Sequence, residues 1–86
     1  MKITRQTVAD KLRAYLRHEL PLAELVDWAE QAMSDGEFDE HDFQSIRDAV
    51  AKLGLADVKA FGLTWEDCES LLGRLGYSVQ IDVVGA

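Results

Sequence analysis

Apolar residues recur every three or four positions along most of this chain, and the pattern is interrupted at Pro21, Gly36, Gly54 and Gly76. This spacing places apolar side chains on one face of an α-helix, so the sequence predicts four amphipathic helices. A chain of 86 residues buries only about 60% of the surface that its unfolded form exposes. We therefore expect residues 1–86 to form a single globular domain around one small core.

The first and fourth helices carry recognisable start signals. Thr4 is a suitable N-cap, and Ile3 and Val8 occupy the positions of a hydrophobic staple around it. Thr64 and Asp67 have the spacing of a capping box, in which each side chain bonds to the backbone of the other residue. The fourth helix is then expected to bury an apolar stripe formed by Cys68, Leu71, Leu72 and Leu75.

The second and third helices are predicted to meet at a corner around Gly36 and Asp39. Gly36 suits a left-handed C-cap because it has no Cβ. Asp39 suits the N-cap of the third helix, with Phe38 and Phe43 at the staple positions. The apolar periodicity places Met33 on the core face of the second helix and Phe43 on that of the third.

The C-terminal residues 77–84, YSVQIDVV, alternate between apolar and polar side chains, which is typical of a half-buried strand. Such a strand needs a partner for its backbone hydrogen bonds. We favour a short strand near residues 57–61, with residues 1–3 or the same strand of a second chain as alternatives. The predicted fold is mainly α (α+β): a compact bundle of four helices with a C-terminal strand paired near residues 57–61.

Charge is distributed unevenly. The chain has 9 basic and 16 acidic residues, a net charge of −7. Residues 1–23 have a net charge of +3, whereas residues 24–48 have a net charge of −8. A surface this acidic repels nucleic acids and anionic lipids and attracts basic proteins. We therefore expect neither a nucleic-acid nor a membrane partner, although the same charge would also serve solubility alone.

Several features favour a cytoplasmic location. The longest apolar run is much shorter than the roughly 20 residues of a membrane span. The first residues, MKITRQTVADK, lack the apolar segment of a secretory signal. A single cysteine, Cys68, excludes an internal disulfide and fits a reducing compartment.

Residues 35–43 resemble the second half of an EF-hand calcium loop. The residues that fit its pattern are Asp35, Gly36, Phe38, Asp39 and Asp42. The first and third ligand positions fall on Gln31 and Met33, and a thioether does not replace a carboxylate for Ca²⁺. We therefore interpret the segment as a corner between helices and predict no metal or other cofactor.

No pattern in the sequence indicates an enzyme. The spacing of Arg13 and His18 resembles the Arg-x4-His ribonuclease motif of HEPN domains, but Arg13 and Arg17 are read as an exposed basic edge of a helix. Cys68 lies on an apolar stripe, where burial and the acidic neighbours Asp67 and Glu69 would raise its pKa instead of activating it. Catalytic residues are not assigned.

The leading hypothesis is a non-enzymatic protein-interaction module, of an inhibitory, immunity-like or regulatory kind, that binds a basic partner. A structural homodimer or complex subunit that uses a β edge is the alternative, and a weak divalent-metal binder is the third hypothesis. The residues predicted to form the interaction surface are Glu24, Asp27, Glu30, Glu37, Asp39, Glu40 and Asp42.

Overall fold

The computed structural model describes residues 1–58, 62–80, 83 and 85. Within these residues the chain is mainly helical, with four helices and one small pair of strands, which confirms the predicted fold class. The elements in chain order are β1 (Lys2–Ile3), α1 (Arg5–Leu16), α2 (Leu22–Asp35), β2 (Glu37–Phe38), α3 (Phe43–Leu53) and α4 (Trp65–Arg74). No helix in the described part of the chain has the length and hydrophobicity to cross a lipid bilayer.

The predicted starts of α1 and α4 are confirmed. The backbone N–H of Thr7 donates to Thr4 Oγ1 (3.2 Å), and the N–H of Thr4 donates to Thr7 Oγ1 (3.1 Å). At α4, the N–H of Asp67 donates to Thr64 Oγ1 (3.1 Å) and the N–H of Thr64 donates to Asp67 Oδ2 (3.0 Å). The backbone hydrogen bond from Thr64 is the main cause that lowers the pKa of Asp67 below its ordinary 3.8.

Both α1 and α4 end in a Schellman motif, with a left-handed residue just after the helix. After α1 this residue is His18 (φ 63°), and the next N–H, that of Glu19, donates to Ala14 O (2.9 Å). After α4 it is Gly76 (φ 91°), and the N–H of Tyr77 donates to Leu72 O (2.9 Å). The predicted end of α4 at Gly76 is therefore confirmed.

The strand pair lies at a different place from the one predicted. β1 and β2 are parallel, with Lys2 opposite Glu37 and Ile3 opposite Phe38. Residues 57, 58, 77–80 and 83 are not in strands, while residues 59–61, 81, 82 and 84 of the predicted pair lie outside the described residues. The alternation that predicted a strand has another cause near its start, since Tyr77 and Val79 pack against the core and Ser78 and Gln80 face solvent.

The corner between α2 and α3 also differs from its prediction. Gly36 is extended (φ −77°, ψ 148°) and leads directly into β2, so it is not a left-handed cap. Asp42, not Asp39, is the residue before α3; it is left-handed (φ 63°) and its side chain makes no capping hydrogen bond. The N–H of Asp39 instead donates to Ile3 O (2.9 Å), so the strand pairing delays the start of α3.

The core lies where α1, α2, α3 and α4 meet, and α2 packs most extensively against α3. The buried residues of α2 and α3 include Ala29, Ala32 and Ala49, whose small side chains allow packed elements to approach closely. Met33 and Phe43, predicted to be on core faces, are instead 37% and 45% exposed. Phe43 packs edge-on against Phe38, with ring centroids 5.9 Å apart.

Candidate functional site

The seven carboxylates predicted from the sequence lie on the outside of the protein. We call them the acidic surface: Glu24, Asp27, Glu30, Glu37, Asp39, Glu40 and Asp42. Six of them are exposed, and Asp39 is half-buried. They follow the outer face of α2, continue through β2 and end in the turn before α3.

Helix periodicity explains the acids on α2. Leu25, Ala29 and Ala32 are buried and define the face that packs on the core. At about 100° per residue, Asp27 lies on the opposite side of the helix and Glu24 lies beside the buried face. Their side chains therefore point to solvent without disturbing the core.

The part of the acidic surface that follows α2 has a fixed backbone. The N–H of Glu37 donates to Met1 O (2.7 Å) and the N–H of Asp39 donates to Ile3 O (2.9 Å). The N-terminal residues around β1 therefore hold the backbone of this segment in place. The N–H of His41 donates to Asp39 Oδ1 (3.2 Å), which shapes the following turn. The carboxylates of β2 and this turn are thus presented on an ordered framework.

The acidic surface is not neutralised by its own chain within the described residues. The ion pairs there join Asp10 to Arg13 (3.6 Å) and Lys52 to Asp67 (3.4 Å), and neither contains a member of the acidic surface. Glu30 also lies near the end of α3, because a Cβ built on Gly54 would be 3.9 Å from Glu30 Cγ. A negative charge there faces the negative end of the α3 dipole.

The half EF-hand pattern does not form a calcium loop. Gln31, Met33 and Asp35 lie within α2, so the residues that should open the loop are helical. Asp42, at the last ligand position, is an exposed residue before α3. Among residues 1–58, 62–80, 83 and 85, no group of three His, Cys, Asp or Glu side chains is placed to hold a metal ion.

Sequence reasoning missed a second feature, an open cleft of about 820 Å³ between α1, α4 and residues 77–80. We call it the α1–α4 cleft. Arg13 lines it from α1, Arg17 from the C-cap just after α1, and Trp65 from the start of α4. The four-residue spacing of the two arginines was visible in the sequence, but nothing there indicated which segment would face them.

Tyr77 fixes the side of this cleft formed by residues 77–80. Its hydroxyl donates to Gln6 Oε1 (3.0 Å), and the Arg5 guanidinium lies over its ring, 5.8 Å from the centroid. Arg5 Nη1 also donates to Leu75 O (3.4 Å). These contacts hold the end of α4 and the following segment against α1.

A smaller cavity of about 200 Å³ lies beside the α1–α4 cleft, with Leu16 and Trp65 lining both. His18 and Cys68 line this smaller cavity, whereas Arg13 lines only the larger one. Arg13 and His18, which have the spacing of the HEPN motif, therefore line different ones of these two cavities. Burial, followed by the Asp67 carboxylate, raises the pKa of the Cys68 thiol to about 11, so it is a poor nucleophile at neutral pH.

No protein-family model, curated protein or solved structure matches this chain.

Proposed function

We propose that this protein is a non-enzymatic interaction module that binds a basic partner protein through its acidic surface. The observation that carries this proposal is that seven carboxylates follow one another along α2, β2 and the next turn without an ion pair to a described residue. Such a surface has its negative charge available to a partner. A regulatory or inhibitory role on a nucleic-acid-processing protein is one concrete form, since such partners carry basic surfaces.

Electrostatic attraction would act mainly on the rate of association. Clustered charges steer a partner of opposite sign and raise the association rate. At physiological ionic strength, dissolved salt screens exposed charges that are more than about 8 Å apart, so the association rate should fall as salt is added. The ordered backbone of Glu37 and Asp39 also favours binding, because a segment that is already ordered loses less conformational entropy when a partner binds.

Phe43 is the candidate apolar anchor of this surface. It follows Asp42 directly, is 45% exposed and is oriented by its edge-on contact with Phe38. Aromatic residues that become buried at the centre of an interface supply a large part of the binding energy. Carboxylates around this exposed phenylalanine would steer a basic partner toward the surface, and the phenylalanine would supply apolar area that becomes buried in the complex.

The test compares two double variants that change the net charge equally. Asp39→Lys with Glu40→Lys alters the acidic surface, while Asp57→Lys with Glu69→Lys alters exposed acids elsewhere. Immobilised wild-type protein should retain a basic protein from native lysate, and salt should elute it. The first double variant should lose this protein, and the second should keep it.

Two results would contradict the proposal. One is the absence of any basic protein whose retention depends on salt. The other is an equal loss of binding in both double variants, because the negative charge would then act only through its total amount.

A second candidate is a homodimer or complex subunit that uses a β edge. It is favoured by the strand pair itself, since the described residues give β1 and β2 no third strand and leave an edge of each without a strand partner. Sedimentation at increasing protein concentration tests the homodimer. A monomer at all concentrations would contradict the homodimer.

A further inference from the structure

We propose that the α1–α4 cleft is a binding site for a small organic anion that carries a planar ring. The phosphate or carboxylate group of the ligand would lie between Arg13 and Arg17, and its ring would pack on Trp65. This site shares no residue with the acidic surface, so the inference does not depend on the proposed function.

The charge of the cleft is opposite to that of the chain. Acidic residues outnumber basic ones by 16 to 9 in the sequence, yet the described residues that line the cleft include Arg13 and Arg17 and no acid. An anion that approaches this molecule is repelled by most of its surface. Among the lining residues that the structure describes, the anion would meet two cations and no carboxylate.

The two arginines are placed to act together. Arg17 is the C-cap of α1, and its N–H donates to Arg13 O (3.0 Å), so the two residues keep the spacing of one helical turn. Residues at this spacing have Cβ atoms about 5–6 Å apart, so both guanidinium groups can reach one phosphate or carboxylate. The planar guanidinium matches the oxygens of both groups. Arg13 pairs with Asp10 at 3.6 Å, but both side chains are more than half exposed, and exposed pairs of this kind are weak. Arg13 can therefore exchange Asp10 for a ligand at little cost.

The rest of the cleft suits an apolar ring. Trp65 is 36% exposed, and the apolar side chains of Leu16, Leu72 and Val79 also line the space. The volume of about 820 Å³ lies within the roughly 300–1,000 Å³ of small-molecule sites. The hydrogen bond from Tyr77 to Gln6 holds one side of the cleft in place without a ligand.

Fluorescence of Trp65 reports directly on this site. The chain has two tryptophans, so Trp28→Phe leaves Trp65 as the only tryptophan, which can be excited selectively at wavelengths where the two tyrosines do not absorb. Four probes separate the parts of the proposed ligand: adenosine monophosphate has a phosphate and a ring, salicylate a carboxylate and a ring, adenosine a ring alone, and inorganic phosphate an anion alone. We expect saturable changes with one or both of the first two probes, at concentrations at least tenfold below those required for the last two.

The two arginines provide the matched comparison. Arg13→Gln with Arg17→Gln should weaken binding by about tenfold to a hundredfold, the effect of removing hydrogen bonds from charged groups. Arg47→Gln removes an exposed arginine of α3 that does not line the cleft, and it should leave the affinity within about twofold of the parent. Circular dichroism checks that each variant is folded. If the double variant does not fold, the single variant Arg17→Gln replaces it in the comparison.

Each outcome decides the matter. A response to adenosine monophosphate but not salicylate assigns the site to phosphates, and the reverse assigns it to carboxylates. The proposal is overturned if none of the four probes gives a saturable change up to about 10 mM, which corresponds to less than about 3 kcal/mol of binding free energy. It is also overturned if adenosine binds as tightly as the anions, or if Arg47→Gln weakens binding as much as the cleft variant does.

Discussion

Gly36 lies so close to Ile3 that a Cβ built on the glycine would come within 2.9 Å of the Ile3 Cγ1 atom. The same Cβ would be 2.5 Å from the carbonyl oxygen of Ala32. Because Gly36 has a φ of −77°, which any residue can adopt, the glycine is required by lack of space and not by its backbone conformation. It allows fully buried Ile3 to pack against the end of α2.

We expect Gly36→Ala to lower the free energy of unfolding by about 1–3 kcal/mol, the usual cost of forcing extra atoms into a packed site. Gly73→Ala is the matched control. Gly73 lies within α4 and a Cβ there would meet nothing within 4 Å, so alanine should raise stability by about 0.5–1 kcal/mol. Denaturant unfolding measures both changes. A neutral Gly36→Ala would show that β1 does not pack against the end of α2.

Two members of the acidic surface should have opposite effects on stability. Glu24 lies in the first turn of α2, near the positive end of the helix dipole, whereas Glu30 approaches the negative end of α3. We expect Glu24→Gln to lower the free energy of unfolding, and Glu30→Gln to raise it, each by about 0.3–1 kcal/mol at low salt. Thermal unfolding at low and high salt measures both effects, which should shrink together as salt rises. Changes of the same sign would mean that total charge outweighs position.

The two Schellman motifs predict another pair of opposite effects. His18 is a non-glycine residue in the left-handed region, which costs roughly 1–2 kcal/mol, whereas Gly76 occupies the equivalent position after α4. We expect His18→Gly to raise stability by about 0.5–1 kcal/mol, because the added freedom of the unfolded chain offsets part of the gain. Gly76→Ala should lower stability by about 1–2 kcal/mol. Chemical unfolding tests both, and a loss on His18→Gly would indicate that the imidazole makes a stabilising contact.

Cys68 makes the free energy of unfolding depend on pH in the alkaline range. Burial raises the pKa of its thiol from the ordinary 9.0 to about 11 in the folded state. Well below pH 9 the thiol is protonated in both the folded and the unfolded state and does not make stability depend on pH. Between pH 9 and 11 the unfolded chain releases this proton while the folded chain keeps it, so the free energy of unfolding falls as pH rises.

Cys68→Ala isolates this contribution, because the tyrosines and lysines that titrate in the same range remain in both proteins. We expect the wild type to lose more stability than the variant when unfolding is measured at about pH 8 and about pH 10.5. Equal losses in the two proteins would contradict a buried, protonated thiol.

Features set by neighbouring residues were predictable from the sequence, and features set by distant ones were not. The capping pairs Thr4–Thr7 and Thr64–Asp67 act over three residues, and the N-caps assigned to Thr4 and Thr64 are confirmed. The extended conformation of Gly36 and the delayed start of α3 depend on Ile3, which is far away in the chain. Local turn chemistry carries no information about such a partner.

The acidic surface and the α1–α4 cleft illustrate the same difference between local and distant determinants. The acidic surface was predictable because helix periodicity alone places Asp27 opposite buried Leu25 and Ala29, and Glu24 outside the buried face. The α1–α4 cleft was not, because it depends on the hydrogen bond between Tyr77 and Gln6, which are 71 positions apart. The arginines were visible in the sequence, but the aromatic side chain opposite them became identifiable only in three dimensions.

The parallel pairing of Lys2–Ile3 with Glu37–Phe38 also bears on the order of folding events. It closes a long loop that contains α1 and α2, and the entropy of closure must be overcome before the few hydrogen bonds of this pair can form. The contact between the consecutive helices α2 and α3 needs no such closure. We therefore expect β1 to dock after the folding transition state, so that weakening this pair accelerates unfolding and leaves the folding rate nearly unchanged.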